Sequence, residues 1–239
     1  MQYLDLTLPT PPENLALDEA LLEEAETASE PLETLRLWEP QQPMVVVGRS
    51  SHVDVEVRLD VCQSLGIPVL RRVSGGATIV AGPGCLMYAV VLSYKLRPDL
   101  RQLSQAHQHV LNLLASAIKP LVPDVHYRGT SDLALDQFKF SGNSARCRRE
   151  NLLYHGTLLY DFPLDLIERC LTMPPRMPDY RERRPHGRFV TNLSLTAETL
   201  RQALKTAFDA REVRTDWPAA ETARLVAEKY SHPEWNSSL

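Results

Sequence analysis

Arg71-Arg72-Val73-Ser74-Gly75-Gly76-Ala77-Thr78 is the stretch from which the rest of the chain can be read. A strand-like run, residues 67–73, feeds two arginines straight into a Ser-Gly-Gly turn, and a second apolar segment, residues 77–80, leaves it. Paired glycines let backbone N–H groups turn toward one point, because no Cβ blocks the φ > 0 conformations. Such a nest binds anions, and two guanidinium groups beside it strengthen that reading. The alternative is an ordinary tight turn with solvent-exposed arginines.

Outward from this stretch, strand and helix signals alternate. On the N-terminal side a short helix at about residues 59–65 closes at Gly66. Before it, residues 35–38 and 44–48 read as two strands around a Pro-flanked turn, the second a β-branched run suited to burial on both faces. Residues 3–6 suggest a first strand. Pro9 to Pro12 break it, and a helix starts at about Glu13, with Leu17, Ala20 and Leu21 on its core face. Asn14 and Asp18 share another face of that helix.

On the C-terminal side, Gly82-Pro83-Gly84 makes a second tight turn, so that two Gly-rich turns bracket a hairpin-like segment before an apolar strand at residues 85–93. A helix is expected over residues 99–119, with Leu103, Ala106, Val110, Leu113 and Leu114 on one stripe and Pro120 as its stop. Residues 131–142 read as strand, short turn, strand. Phe138 and Phe140 alternate with Lys139, so both aromatics are expected to face the core and the lysine the opposite side. A Ser-Gly-Asn-Ser cluster, residues 141–144, then Arg146 and a strand at 152–160 carrying His155 complete this region. Beyond it, helices are expected at 164–171, 200–208 and 219–230, with Thr196 as an N-cap.

Bulk properties narrow the class. The chain has 239 residues, 44% hydrophobic and 23% charged, as ordinary globular proteins do. A net charge of −4 speaks against a nucleic-acid binder. Four widely spaced cysteines, Cys62, Cys85, Cys147 and Cys170, form no metal or secreted disulfide pattern, which points to a reducing, cytoplasmic setting. The longest apolar run is too short for a bilayer, so no membrane association is expected.

Taken together, these motifs resemble the lipoate–protein ligase branch of the biotin/lipoate ligase family. The resemblance rests on the first-helix segment 14–19, the strands around Trp38 and at 45–49, the Arg-Arg-x-Ser-Gly-Gly signature at 71–76, Ser131-Asp132-Leu133, Lys139-Phe140-Ser141-Gly142, Arg146, residues 155–159 and Val190-Thr191-Asn192-Leu193. It runs from about residue 13 to 195. It implies an α+β fold with a mixed or antiparallel sheet flanked by helices, as a single catalytic domain over 1–239 with no C-terminal accessory domain. It also implies a chemistry: lipoate or octanoate joined to the α-phosphate of ATP with Mg²⁺, then passed to a lysine of a lipoyl domain. Acceptors would be lipoyl domains of 2-oxoacid dehydrogenase complexes or the glycine cleavage H protein, with a separate accessory protein as a further partner. By resemblance, Lys139 bridges acyl carbonyl and α-phosphate. Asp18, Trp38, Arg72, Ser74, Gly75, Gly76, Arg146 and His155 surround the acyl group. Gly75, Gly76, Ala77, Asp132, Lys139 and Phe140 meet the nucleotide, with Asp132 as the Mg²⁺-linked carboxylate.

The chain departs from the family where ligases continue with a third glycine and a His-Asp-x-Gly-Asn turn. Ala77 and residues 81–85 stand there instead, and Gly82-Pro83-Gly84 resembles the lipoyl-synthesis octanoyltransferases. Those relatives carry the acyl group on a cysteine, which raises Cys85 as a candidate nucleophile. The other reading of Cys85 is a small buried side chain at a strand start. A cysteine-dependent octanoyltransferase and a non-catalytic lipoyl- or nucleotide-binding homologue therefore stand beside the ligase.

Overall fold

The computed structural model describes residues 1–237. The chain runs β1 (Gln2–Asp5), α1 (Pro11–Thr27), β2 (Thr34–Trp38), β3 (Met44–Val47), α2 (Val53–Glu56), α3 (Leu59–Ser64), β4 (Val69–Arg71), β5 (Ile79–Ala81) and β6 (Cys85–Ser93). It continues through α4 (Leu103–Ile118), β7 (Val125–Arg128), β8 (Asp132–Leu135), β9 (Phe138–Cys147), β10 (Asn151–Leu159), α5 (Asp165–Cys170), α6 (Ala197–Ala207), β11 (Glu212–Val213), α7 (Ala219–Leu225) and α8 (Pro233–Ser237). Eight strands form one mixed sheet in the order β11-β1-β2-β6-β10-β9-β8-β7, and β4-β3-β5 form a second, smaller one. This is the expected α+β architecture. No helix of the described residues is long and apolar enough to cross a membrane.

The centre of the large sheet is apolar on both faces, and the reason is visible in β6. Leu86, Tyr88, Val90 and Leu92 pack with Val110 and Leu114 of α4 and Leu200 and Leu204 of α6. Cys85 and Met87 point the other way into the small sheet, and Ala89 and Val91 into Leu17 and Leu21 of α1. A strand covered on both sides must read as a continuous hydrophobic run, as residues 85–93 do. The helix α1 opens on a capping box: Thr10 accepts from the Glu13 N–H, and the Glu13 carboxylate accepts from the Thr10 N–H at 2.8 Å.

Three expectations are corrected. The strands β5 and β6 do not form a hairpin: β5 pairs antiparallel with β3 in the small sheet, whereas β6 lies between β2 and β10 in the large one. Leu103 opens α4 on the solvent side at 47% exposure, while Leu111, off the expected stripe, is fully buried. Phe138 and Phe140 do not share a face. Leu133 pairs with Ser141 but Ala134 pairs with Lys139, so Phe140 is the extra residue of a β-bulge. The bulge breaks the period of two and re-aims its neighbours. Phe140 is fully buried in the core, and Phe138 is 37% exposed beside the Arg184 guanidinium.

Phe140→Ala is therefore expected to cost about 3–5 kcal/mol in urea unfolding, and Phe138→Ala less than about 1 kcal/mol. Equal losses would contradict the bulge.

Candidate active site

A cleft of about 810 Å³ lies where the two sheets meet, with α1 and α5 along its sides. Its apolar wall includes Leu15, Val46, Met87, Leu159, Ile167 and Leu171, and its polar wall includes Asp18, Asp132, Lys139, Asn143, Ser144 and His155. An apolar tunnel with a few placed polar groups suits a small ligand with a greasy tail and a charged head.

The Gly-rich turn contributes one edge. Its two arginines do not face an anion; both turn inward and hold backbone carbonyls. Arg72, 7% exposed, donates to the carbonyls of Val46 (3.0 Å), Gly75 (2.5 Å) and Ala77 (3.0 Å) and to Ser74 Oγ (3.1 Å). Burial pulls its guanidinium down to about 10, and the nearby Glu56 carboxylate opposes that shift. Arg71 is fully buried and donates to the carbonyls of Gly48 (2.7 Å), Ser51 (2.8 Å) and Trp235 (3.0 Å), away from the cleft. The Gly76 carbonyl accepts from Ser51 Oγ at 3.1 Å, and that of Gly75 also from Ser144 Oγ at 2.8 Å. With its carbonyls held, and Gly76 at φ +84°, the turn leaves the N–H groups of Gly75, Gly76 and Ala77 without a protein acceptor among the described residues. Three unpaired N–H donors are thus present on the turn, and Gly76 and Ala77 line the cleft.

Lys139 supplies the opposing cation. Its backbone is fixed on both sides: it pairs with Ala134 of β8, donates its N–H to the Phe189 carbonyl at 2.8 Å and accepts from Thr191 N–H at 2.9 Å. Its Nζ lies 2.6 Å from Asp132 Oδ1, and Tyr180 O–H donates to Asp132 Oδ2 at 2.8 Å. Burial pushes the Tyr180 phenol well up, with the Asp132 charge adding to it, so the group stays a neutral donor. Gly142 lies under the lysine; a Cβ there would come to 3.0 Å from its Nζ.

At the other end of the cleft a hydrogen-bonded chain crosses from α1 to the Gly-rich turn. Asp18 Oδ2 lies 3.3 Å from His155 Nδ1, and His155 Nε2 lies 2.5 Å from Ser74 Oγ. The four groups Asp18, His155, Ser74 and Arg72 are therefore contiguous.

Three sequence candidates fall elsewhere. Trp38 is fully buried and lines a separate cavity of about 220 Å³ at the start of α1. Arg146 is half-buried on β9 outside the cleft lining, where burial and the like charges of Arg49 and Arg148 pull its guanidinium down. Cys85 lies in the apolar cluster under the small sheet, its Sγ 3.8 Å from Met87 Sδ. Burial pushes that thiol strongly up, the reverse of what a nucleophilic thiolate needs. Phe140 lines the cleft from the core, and Asp132 sits beside Lys139.

Sequence reading missed Glu56 and Tyr180, and marked Ser144 only as part of the 141–144 cluster. Glu56 Oε2 accepts from both the Thr78 N–H (2.9 Å) and Thr78 Oγ1 (2.8 Å), closing the far side of the Gly-rich turn. It ends α2, a helix of four residues, too short to leave a periodic signal. Among the described residues no three His, Cys, Asp or Glu side chains cluster as metal ligands.

Residues 10–209 match the model of the family described as lipoyl protein ligase A/B catalytic domain. The chain belongs to that family. It is 31% identical over 158 residues to a putative lipoate-protein ligase A of Aeropyrum pernix, covering 66% of this chain and 57% of that protein. The chain spans about half the length of the curated relatives of this kind. Among solved structures, a putative lipoate protein ligase from Thermoplasma acidophilum with bound lipoic acid superposes with a TM-score of 0.82 at 23% identity, over 99% of both chains. A structure of a bi-partite lipoate protein ligase and its E2 lipoyl domain from the same organism gives 0.82 at 22% identity, over 100% of this chain and 97% of that one. A lipoate-protein ligase A bound with ATP gives 0.82 at 22%, over 100% of both. At these identities the likeness is one of fold.

A Cβ on Gly48 would lie 1.8 Å from the Gly76 carbonyl oxygen, a backbone atom that cannot step aside alone. Gly48→Ala is expected to lower stability by more than about 2 kcal/mol in urea unfolding and to displace the turn. Wild-type stability in this variant would contradict the packing of the turn against β3.

Proposed function

We propose that the chain catalyses lipoylation: it forms or uses lipoyl-AMP and transfers the acyl group to a lysine of a lipoyl domain. One observation carries the reading. A lysine tethered by Asp132 and a turn with three N–H groups unpartnered among the described residues border one cleft whose other wall is apolar. In the first step a carboxylate oxygen attacks the α-phosphorus of ATP, the acyl–phosphate bond forms and pyrophosphate leaves. In the second the acceptor amine attacks the carbonyl carbon, the amide bond forms, AMP leaves and the amine loses a proton. Negative charge grows on phosphoryl oxygens and then on the carbonyl oxygen, where fixed donors act most strongly. Lys139 is the compact cation for that charge, and Gly75, Gly76 and Ala77 present the N–H groups to the nucleotide.

The substrate is a medium-chain acid, lipoate or octanoate. Burying its tail at about 0.8 kcal/mol per CH₂ contributes on the order of 5 kcal/mol before association costs. Asp18, Arg72, Ser74 and His155 border the acyl group; Trp38 and Arg146, which lie outside the cleft lining, are given no contact with it. Mg²⁺ enters with the nucleotide. Both Asp132 oxygens are engaged, by Lys139 and Tyr180, so the carboxylate supplies at most one ligand and the phosphates the rest. Acceptors are lipoyl domains of 2-oxoacid dehydrogenase complexes or the glycine cleavage H protein, with a separate accessory protein as a further partner. The four unpaired cysteines fit a cytoplasmic setting.

The test is an intact-mass assay with protein, Mg-ATP, lipoate or octanoate, and an apo lipoyl domain. The expected result is an acyl mass shift on the acceptor, lost by at least about a hundredfold in Lys139→Ala and unchanged in Cys85→Ser. No adenylate and no shift, with an active ligase run in parallel, would overturn the reading. A thioester trapped on Cys85 would replace it with the octanoyltransferase.

A further inference from the structure

Arg36 interrupts the apolar strand Leu35-Arg36-Leu37-Trp38, and it is fully buried. All five of its N–H groups are used. Nε donates to the Leu6 carbonyl (3.1 Å), and Nη2 to the same carbonyl (3.0 Å) and to Asn14 Oδ1 (2.7 Å). Nη1 donates to the Asn14 carbonyl (2.7 Å) and to Asp18 Oδ1 (2.6 Å). Asn14 in turn donates to the carbonyls of Leu8 and Thr10, so the network has no loose end on that side. Burial pulls the guanidinium down, and the Asp18 charge opposes it.

The register explains why this charge sits there. Arg36 pairs with Ala89, Ala89 with His155, and His155 with Ser144, one row across β2, β6, β10 and β9. Opposed residues in antiparallel strands share a face, and this face looks toward α1. The small Ala89 in the middle leaves room for Asp18 to lie between Arg36 and His155, one oxygen on each.

We propose that Arg36 is a positioning residue of the cleft, acting through Asp18 on His155 and Ser74; this rests on the reading of those residues as the border of the acyl pocket. For a neutral imidazole beside a carboxylate the geometry sets one direction for every hydrogen. Asp18 can only accept, so His155 carries its proton on Nδ1. His155 Nε2 is then an acceptor, and Ser74 Oγ, which already accepts from Arg72 Nε, donates to it. The chain from Arg36 to Arg72 thereby fixes the imidazole and the first residue of the Gly-rich turn together. Arg36 itself does not reach the cleft.

The experiment uses the full chain with ¹⁵N-labelled histidine. In the ligand-free wild type the His155 shifts are expected to report the Nδ1–H tautomer. Arg36→Lys keeps the charge but cannot hold Asp18, Asn14 and Leu6 at once. It is expected to mix the tautomers and raise KM for the acyl acid by about tenfold, with KM for ATP within about twofold of wild type. Asp18→Asn, whose amide donates to Nδ1, is expected to reverse the tautomer. A folded Arg36→Lys with wild-type tautomer and KM would overturn the proposal. If that variant does not fold, Asp18→Asn decides: reversal supports the chain, and an unchanged tautomer overturns it. Because the tautomer is read without substrate, a protein that shows it yet forms no acyl-adenylate would sink the proposed reaction and not this inference.

Discussion

The Arg72 guanidinium is the constraint on which the site depends. It is a nearly buried cation satisfied by carbonyls of its own loop and of β3, so it behaves as an internal peg. Burying a charge without partners costs several kcal/mol, and here the partners are backbone oxygens. Once the carbonyls of Gly75 and Ala77 are turned to Arg72 and that of Gly76 to Ser51, the N–H groups have no protein acceptor among the described residues. Glycine at position 76 takes the positive φ this geometry requires, and glycine at position 48 leaves the space into which the turn packs. The donor set of the turn is therefore a consequence of where the carbonyls go, with the arginines behind the loop instead of in front of it.

The second wall depends on a local irregularity. The bulge at Phe140 lets that ring enter the core while Lys139 stays at the cleft, pinned by Asp132 and by backbone bonds to residues 189 and 191. A regular strand would have placed both phenylalanines on one face. The cleft itself opens at the joint between the two sheets, where Met87 of β6, residues 155–157 and Leu159 of β10 and residues 139–144 of β9 face Val46 of β3 and Val80 of β5. An apolar tunnel beside a cationic head site follows from that placement.

Much of this was legible in the sequence. The Arg-Arg-x-Ser-Gly-Gly stretch marks the turn, the unbroken apolar run 85–93 marks the doubly covered strand, and the Asp18, His155 and Ser74 positions do come together. What the sequence hides is direction. Two adjacent arginines look like an exposed cationic pair, and nothing in their spacing says that both point into the protein. Arg36 alternates with leucines as a solvent-facing residue would, and only the Asn14–Asp18 pair on α1 hints that a buried cation is needed. Glu56 acts from a helix of one turn, and the bulge at Phe140 is set by pairing with β8, a non-local fact. Cys85 shows the same limit: its place after a Gly-Pro-Gly turn suggests reactivity, and its apolar surroundings remove it.

The central claim is that the Gly-rich turn and Lys139 are two walls of one acyl-adenylate cleft. A crystal structure with a non-hydrolysable acyl-sulfamoyl adenosine tests it directly. The account predicts sulfonyl oxygens within hydrogen-bond distance of the Gly76 or Ala77 N–H and of Lys139 Nζ, with the acyl tail against Leu15, Val46 and Met87. The analogue bound elsewhere, or bound without either the turn or Lys139 touching it, would contradict the claim.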